Sequence, residues 1–466
     1  MSEYQVRSSL EPWEIDRERT DEGVTAYGGI PAVIEGWYQM GLDRVARTQV
    51  RMRERQKVLT DAEWVEVLTI LLVSGGHEVE DLEALRRDGG LCQLWPILRK
   101  TSARSALDYL HRFDDAELPK GKAGEARIVE ETGGLKGLGV VNRHMIRELQ
   151  LRKPVKEATI DVDASIHEST RREALWTYDK VRGYQPVIAY WAEQGVVVGD
   201  QFREGNVPAG MGNLEFIRGV MEGLPAGIEK RRVRGDSALY EQELLRWMDR
   251  EGIEFGVSAD MSPQLREEVR KVSVEEWKPY VKDEDGKPVR TDREWAEVCY
   301  VPTEPGAKKG ERPFRYVAIR VPMRGGEMVK ETWEHFAVVT NRWELGGNEL
   351  LSWHRGKCGT VEKAHDMMKN DMGARVLPSG RFGANAAWYR LNALAFNLMR
   401  VLGRVALPSY DGKRPHTMRM HILAIAARVI SHSREKTEVF TEENRGRRDE
   451  LADSRGLWGR RSGRGV

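Results

Sequence analysis

The chain has 466 residues, of which 32% are charged, and its mean hydropathy is −0.56. This length predicts two or three domains, and the composition predicts a soluble globular protein. The longest apolar run, residues 65–73, is interrupted by Glu66 and is too short to span a bilayer. Because the first residues are polar and do not resemble a signal peptide, we expect a cytoplasmic protein with no membrane partner.

The cysteines and the net charge limit the kinds of metal site and nucleic-acid-binding surface that the chain can have. Cys92, Cys299 and Cys358 are far apart and form no CxxC pair, so neither a disulfide framework nor a zinc site is predicted. Any metal would therefore be held by oxygen ligands. Lys and Arg number 74 against 73 for Asp and Glu, so nucleic acid would have to bind through local basic patches.

The first 157 residues are predicted to be mostly helical, with apolar residues at helical spacing over 32–42, 64–73 and 102–113. Basic residues cluster around the third helix: Arg99, Lys100, Arg104 and Arg112. This pattern is typical of a helical module that binds DNA ends, with Arg104 among the contacts. It is equally typical of a helical bundle with a solvated basic face, and the sequence leaves both interpretations open.

Strands are predicted from residue 158 onwards, and the first carries two acids. Side chains alternate along a strand, so Asp161 and Asp163 share one face of segment 158–167. A carboxylate on a strand of core composition must be paired or must hold a metal. Either acid is therefore a candidate site residue.

The order of the following elements predicts an α/β fold. A hairpin over 184–191 and 195–202 continues the first strand, and helices over 214–221 and 240–251 then alternate with strands over 231–235 and 253–258. Asp236 ends the first of these two later strands. Three meandering strands followed by this alternation are typical of a ribonuclease H-like mixed-sheet core.

The alternation is lost between residues 261 and 334, which predicts an inserted β-rich subdomain. The core resumes with a strand over 335–340, and helices are predicted over 385–402 and 416–430. The predicted division is a helical DNA-binding region (1–157), a first part of the catalytic core (158–260), the inserted subdomain (261–334), a second part of the core (335–403), a C-terminal helical region (404–433) and a disordered, charged tail (434–466).

A third acid begins a predicted helix. Glu362, His365 and Lys369 fall on one stripe, whereas Met367, Met368 and Met372 can face the core. For this helix taken alone, a solvated polar face is the more common explanation of such a stripe, and His365 is interpreted as a polar helix residue rather than a ligand.

The three acidic segments together resemble the DDE transposases of bacterial insertion sequences, in particular the branch with a β-strand insertion between the second Asp and the Glu. The resemblance is carried by Asp163 followed by Ala and Ser, by Asp236 in Arg-Gly-Asp-Ser-Ala, and by Glu362 with Lys369. The family has a Tyr and an Arg before the Glu. This chain has Arg355 in the place of the Tyr, and Cys358, next to Lys357, in the place of the Arg.

The resemblance implies a metal-dependent DNA-cutting enzyme. Asp163, Asp236 and Glu362 would be the catalytic acids and would hold two Mg²⁺ ions, which Mn²⁺ could replace. Lys369, Lys357 and Arg355 would position the DNA backbone. Asp161 remains the rival of Asp163 as the first acid.

The expected partners are double-stranded terminal inverted repeats and target DNA, bound by a homodimer in the bacterial cytoplasm, at the nucleoid. Two other interpretations are a catalytically inactive, domesticated DNA-binding regulator of the same fold and a hydrolase that uses two carboxylates as acid and base. The tryptophans of the insertion, Trp277, Trp295 and Trp333, would either stack on a displaced base or pack in the core.

Overall fold

The structure is a computed structural model that describes residues 23–52, 58–114, 125–284, 287–302, 313–323, 333–432, 435–440 and 444–458. The predicted N- and C-terminal extremes, 1–22 and 459–466, lie outside the described residues. None of the helices in the described ranges combines the length and the apolar composition that crossing a bilayer requires.

The described N-terminal residues are helical apart from one short strand. Thr60 and Glu63 close a capping box at the start of the strongly apolar α3, and the Ser102 side chain caps α6. The elements are β1 (Val24–Thr25), α1 (Ile30–Gln39), α2 (Leu42–Gln49), α3 (Asp61–Val73), α4 (Leu82–Arg87), α5 (Gly89–Leu94), α6 (Ala103–Leu110) and α7 (Gly133–Arg152).

Helix α7 packs very closely against α2. A Cβ atom added to Gly137 would lie 2.2 Å from the Gln49 carbonyl oxygen, and one added to Gly134 would lie 2.1 Å from Met52 Sδ. At Gly137 the obstacle is backbone, so only glycine fits there, and a residue that weakens the helix locally permits the packing that stabilises it. At Gly134 the nearest atom belongs to the flexible Met52 side chain, which can move aside.

Residues 157–340 form the strands of a large mixed sheet and a small three-stranded sheet. The elements are β2 (Glu157–Ala164), β3 (His167–Glu168), β4 (Leu175–Trp176), β5 (Arg182–Tyr184), β6 (Val187–Trp191), β7 (Val196–Gln201), α8 (Asn213–Gly223), β8 (Lys230–Gly235), α9 (Gln242–Arg250), β9 (Glu254–Ala259), α10 (Pro263–Lys271), β10 (Lys278–Glu284), β11 (Lys287–Val298), β12 (Arg315–Pro322) and β13 (Trp333–Thr340).

The large sheet has nine described strands in the order β10-β11-β12-β13-β9-β8-β2-β6-β7. Strand β2 pairs parallel with β8, and β8 pairs parallel with β9, whereas the other neighbours are antiparallel. The small sheet has the order β3-β5-β4 and follows directly on β2. The protein is thus a mixed α/β protein with one large sheet and many helices.

The strands of the predicted insertion extend the large sheet. Strand β13 pairs with β9 from Ala337 opposite Ala259 to Thr340 opposite Gly256, and β12, β11 and β10 add outward from it. Trp277 and Trp295 are buried, while the Arg320 guanidinium lies 4.4 Å from the Trp277 ring centroid and 4.5 Å from that of Trp333. These contacts favour a packing role for the tryptophans.

The C-terminal residues return to helices and then end differently from the prediction. The elements are α11 (Gly347–Arg355), α12 (Val361–Asn370), α13 (Phe382–Val401), α14 (Pro415–Met418), β14 (Ala427–His432), β15 (Glu435–Phe440) and α15 (Arg445–Trp458). Helix α13 is buried along almost its whole length and packs between the N-terminal helices and β7. Its Asn397 side chain accepts from Val197 N at 2.8 Å and donates to Asn142 Oδ1 at 2.7 Å, which satisfies the buried amide.

Two predictions for this region are wrong. The helix predicted over 416–430 is limited to the short α14 and a π-helical turn, after which β14 pairs with both β1 and β15, where β-branched Val429 and Ile430 fit well. The tail predicted to be disordered contains β15 and α15. Trp458 anchors α15 because its indole is buried against Gly36 of α1, where an added Cβ would lie 2.4 Å from the ring.

Candidate active site

Two of the predicted acids lie at the carboxyl ends of neighbouring parallel strands. In the ladder between β2 and β8, Asp161 is paired with Arg234. Asp163 and Asp236 each lie two residues further along their strands. The register therefore carries both acids to the same edge of the sheet.

The backbone around Asp236 is fixed from both sides. The Asp236 carboxylate accepts a hydrogen bond from Ala238 N at 3.0 Å, which forms the turn after β8. A Cβ atom on Gly235 would lie 2.3 Å from Leu239 Cδ1, so the motif needs glycine there. On the other side, the buried His354 ring lies with Nε2 3.2 Å from the Gly235 carbonyl oxygen, and burial lowers the pKa of His354 to about 4.

Asp161 is closed off inside the protein. Its side chain is fully buried and accepts hydrogen bonds of 2.6 and 2.8 Å from Arg234, and a third from the Thr360 hydroxyl. Arg234 and Thr360 thus satisfy this carboxylate and leave little of it for an external ligand. The Thr360 contact also ties the start of α12 to β2.

Glu362 lies in the first turn of α12, where the helix dipole favours a negative charge. It is exposed, and the Cys358 thiol donates a hydrogen bond to its carboxylate. Burial and this nearby carboxylate raise the pKa of Cys358. Met367, Met368 and Met372 are buried, as the stripe predicts.

The three acids act on one another electrostatically. Burial raises the pKa of Asp163 to about 6; the neighbouring Lys357 ammonium opposes the increase, and the negative charges of Asp236 and Glu362 add to it. All four groups therefore lie within one local field at the edge of the sheet. Lys357 and Lys369 both interact with the Asp163 charge, so three carboxylates face two ammonium groups, and such a site would attract a further cation.

The donors are carboxylate oxygens, which are the ligands that Mg²⁺ prefers. In the described part of the chain, no three acidic, histidine or cysteine side chains converge closely enough to enclose a metal ion by themselves. Mg²⁺ usually takes one or two carboxylates and completes its shell with water and substrate phosphate oxygens. The residues present fit such an ion.

The predicted basic residues occupy different surroundings. Lys357 lies beside Asp163, and the Arg355 guanidinium lies 5.2 Å from the Tyr280 ring centroid. Both residues line an open cleft of about 940 Å³ between α11 and strands β10–β13, which also contains Lys282 and Arg293.

Lys369 and Arg104 lie apart from that cleft. Lys369 is half-buried, and its Nζ donates to the Ile166 carbonyl oxygen at 2.8 Å, so it holds the segment that follows Asp163. Arg104 lies on α6 among the N-terminal helices, where it is 83% exposed and forms an ion pair with Asp108.

Comparison with known proteins decides the family. The family model described as "Transposase DDE domain group 1" matches residues 14–443, which is most of the chain. The chain belongs to the DDE transposase family.

A solved structure similar to this DDE transposase is described as the cryo-EM structure of a piggyBac transposase synaptic complex with hairpin DNA. The sequence identity is 10%, the TM-score is 0.45, and the match covers 86% of this chain and 81% of that chain. No curated protein matches the sequence significantly.

Sequence reasoning missed one contact of the transposase site. His365, interpreted as a polar helix residue, is buried with Nε2 3.4 Å from the Asp163 carbonyl oxygen and 3.8 Å from Asp163 Oδ2. Burial lowers the pKa of His365 to about 4, so the ring is neutral near pH 7. Its position three residues after Glu362 was the available signal, because that spacing directs both side chains toward one side of α12.

Proposed function

We propose that this DDE transposase cuts the ends of a bacterial insertion sequence and joins the freed 3′-hydroxyl groups to target DNA. The proposal rests above all on the placement of Asp163 and Asp236 at the ends of two parallel strands, in one electrostatic field with Glu362. The enzyme would work in the cytoplasm on DNA at the nucleoid, as a pair of copies holding two DNA ends.

We further propose that the core is ribonuclease H-like. The order β7-β6-β2-β8-β9 supports this proposal, because three antiparallel neighbours are extended by two parallel strands on the far side of β2. The acids then fall on the central strand, on its parallel neighbour and on a helix tied to the central strand. The inserted strands would form one wall of the DNA path.

We propose that three acids bind the metal ions and that a fourth, Asp161, holds them in position. Two divalent ions, Mg²⁺ or Mn²⁺, held by Asp163, Asp236 and Glu362, would neutralise charge on the attacking and leaving oxygens of the phosphodiester. Asp161, bound by Arg234 and Thr360, keeps β2 and the start of α12 together and so sets the separation of Asp163 and Glu362.

The basic side chains of the cleft would hold the DNA backbone. Lys357 lies nearest the acids and would contact the phosphate beside the cut, while Arg355 would contact a phosphate further along the cleft. Lys369 would hold the segment after Asp163 in place, and Arg104 would contact DNA away from the reaction centre.

Nicking of the terminal DNA tests the proposal. Purified protein, incubated with the DNA ends that bracket its gene and with Mg²⁺ or Mn²⁺, is expected to nick at the element boundary. Asp163→Asn, Asp236→Asn and Glu362→Gln should each reduce nicking by more than the ~10- to 100-fold that loss of an outer-shell partner costs. Circular dichroism would check that each variant keeps the fold.

Asp260 provides a matched control. It is exposed and follows β9, the next parallel strand, at the same edge of the sheet. Asp260→Asn should nick at the wild-type rate. Wild-type nicking by any of the three site variants would remove that acid from the site, and DNA binding without cleavage by the wild type would support a regulator instead.

A further inference from the structure

A tight turn connects β4 and β5 of the small sheet, which follows the strand that carries Asp163. Thr177 N donates to the Val181 carbonyl oxygen at 2.8 Å, the Thr177 hydroxyl donates to the same oxygen at 3.0 Å, and Lys180 N donates to the Thr177 carbonyl oxygen at 3.1 Å. Lys180 has φ +61°, and no other non-glycine residue in the described ranges has a positive φ. Strained backbone that is held this firmly often belongs to a functional segment. We name residues 176–182 the aromatic turn.

The aromatic turn presents two large rings to solvent. Tyr178 is 71% exposed and Trp176 is 58% exposed, and they are the two most exposed aromatic residues in the part of the chain that the structure describes. The Arg182 guanidinium lies 5.1 Å from the Trp176 ring centroid and supports that ring from one side. Adjacent exposed aromatic rings on a rigid backbone mark a binding surface rather than a folding element.

The aromatic turn also lies close to the reaction centre. Strand β3 begins at His167, four residues after Asp163, and pairs with β5 at the base of the turn. After slight burial and the neighbouring Asp179, the charges of Asp236 and Asp163 also raise the pKa of the Tyr178 hydroxyl. The turn is fixed to the protein through β5, which pairs with both β3 and β4. It therefore has a set position relative to Asp163.

Charged groups of both signs lie on this surface. Arg171, Arg172 and Lys180 are exposed on the same small sheet and its turns, together with the acids Glu173 and Asp179. The Arg182 guanidinium, which lies against the Trp176 ring, donates to the Arg172 carbonyl oxygen at 2.9 Å. Flat rings with cations beside them suit a nucleic acid strand, because bases stack on aromatic side chains while phosphates contact the cations.

We propose that the aromatic turn stacks on an unpaired DNA base next to the phosphate that is cut, with Tyr178 as the main contact and Trp176 as the second. The inference rests on the proposed transposase function and names the surface that holds the DNA beside the cut. Stacking there would favour DNA that is locally unpaired at the element boundary, since a base is available to the rings only when it has left the duplex.

Fluorescence of a base analogue tests the inference. A terminal DNA duplex would carry 2-aminopurine at single positions on either side of the cut, and Ca²⁺ would replace Mg²⁺ so that binding is measured without turnover. Wild-type protein should change the fluorescence at one or two positions next to the cut. Tyr178→Ala should abolish this change and weaken binding on the order of 5- to 150-fold, whereas Tyr178→Phe should retain both.

Trp343 provides a control aromatic residue. It is 47% exposed and follows β13 at the opposite edge of the sheet, because β13 runs antiparallel to β9. Trp343→Ala should change neither the fluorescence nor the affinity. Circular dichroism and thermal unfolding would show that the Tyr178→Ala protein is folded.

The outcomes separate this inference from the proposed function. If wild type binds and nicks the DNA but Tyr178→Ala gives the wild-type fluorescence and affinity, the stacking proposal is overturned and the transposase function stands. If Tyr178→Ala changes only the oligomeric state in light scattering, the surface binds a second copy and the proposal is also overturned. If the wild-type protein neither binds nor nicks terminal DNA, the proposed transposase function is wrong, and the stacking proposal, which rests on it, is overturned with it.

Discussion

The guanidinium of Arg234 donates two hydrogen bonds to the carboxylate of Asp161, and both side chains are almost completely buried. This pair distinguishes two acids that are two residues apart on the same face of β2. The carboxylate of Asp161 is hydrogen-bonded within the protein, whereas that of Asp163 interacts electrostatically with the carboxylates of Asp236 and Glu362. The ion pair is therefore a structural part of the site, and the acid that remains available is Asp163.

Removal of Arg234 should strongly destabilise the protein. Arg234→Met leaves the Asp161 charge buried without its main partner, and we expect the free energy of unfolding to fall by about 3–5 kcal/mol in urea titrations. Arg232→Met is the matched control on the same strand, because the partners of Arg232, Glu157 and Glu254, are 41% and 35% exposed. That change should cost about 0–1 kcal/mol. Equal losses in the two variants would contradict the structural role of the Asp161 pair.

The Thr360 hydroxyl should matter for both stability and cleavage. Thr360→Val keeps the shape but removes the donor to Asp161 that joins α12 to β2, so we expect a loss of about 1–3 kcal/mol and slower nicking. Thr69→Val, which removes a buried hydroxyl bound to the Val65 carbonyl oxygen within α3, should leave nicking per folded molecule unchanged. Nicking by Thr360→Val at the wild-type rate would show that the contact does not position Glu362.

The stability of the metal-free protein should depend on the ionisation of Asp163. Because burial raises the pKa of the folded carboxyl from 3.8 to about 6, the folded protein binds more protons than the unfolded chain between these values. Its contribution to stability is present below pH 3.8 and is lost as the pH rises through about 6. Relative to Asp163→Asn, wild type in chelator should lose roughly 3 kcal/mol over this window. Denaturant titrations at several pH values measure the difference, and a constant difference would refute the raised pKa.

The two lysines near the acids should respond differently to salt. Lys357→Gln should reduce the slope of log binding constant against log salt concentration by about 0.9, because a phosphate contact is lost. Lys369→Gln should keep the slope and slow nicking, since its ammonium holds the Ile166 carbonyl oxygen. Lys271→Gln, in which an exposed lysine loses its ion pair with Glu268, is the control. A slope change of the same size in Lys369→Gln would place that lysine on DNA.

Much of the fold could be predicted because local pattern and tertiary packing agree there. The hairpin of β6 and β7, the strand ending at Gly235 and the buried methionines of α12 all follow from periodicity. The same holds for α3 and α13, where long apolar stretches are buried. The secondary structure of a segment can be predicted from its sequence when its local preference agrees with the packing of the whole fold.

The remaining features depend on contacts between distant residues. Helix α7 contains Gly137, which disfavours a helix locally, and the close approach of the Gln49 backbone at the end of α2 explains it. The pairing of Asp161 with Arg234 requires the parallel register of β2 and β8, which no local pattern encodes. The strand β14 likewise exists because β1 and β15 lie on either side of it.

The continuous sheet has a mechanical consequence. Strand β13 is hydrogen-bonded to β9, and β12, β11 and β10 are added to it in turn. Strand β9 pairs with β8, which ends just before Asp236, so the described strands of the proposed DNA wall belong to the same sheet as the acids. Tilting that wall would require rupture of a whole row of inter-strand bonds. In the proposed complex the polynucleotide would therefore bend to suit the enzyme, and deformable sequence steps at the element boundary should be favoured for the cut.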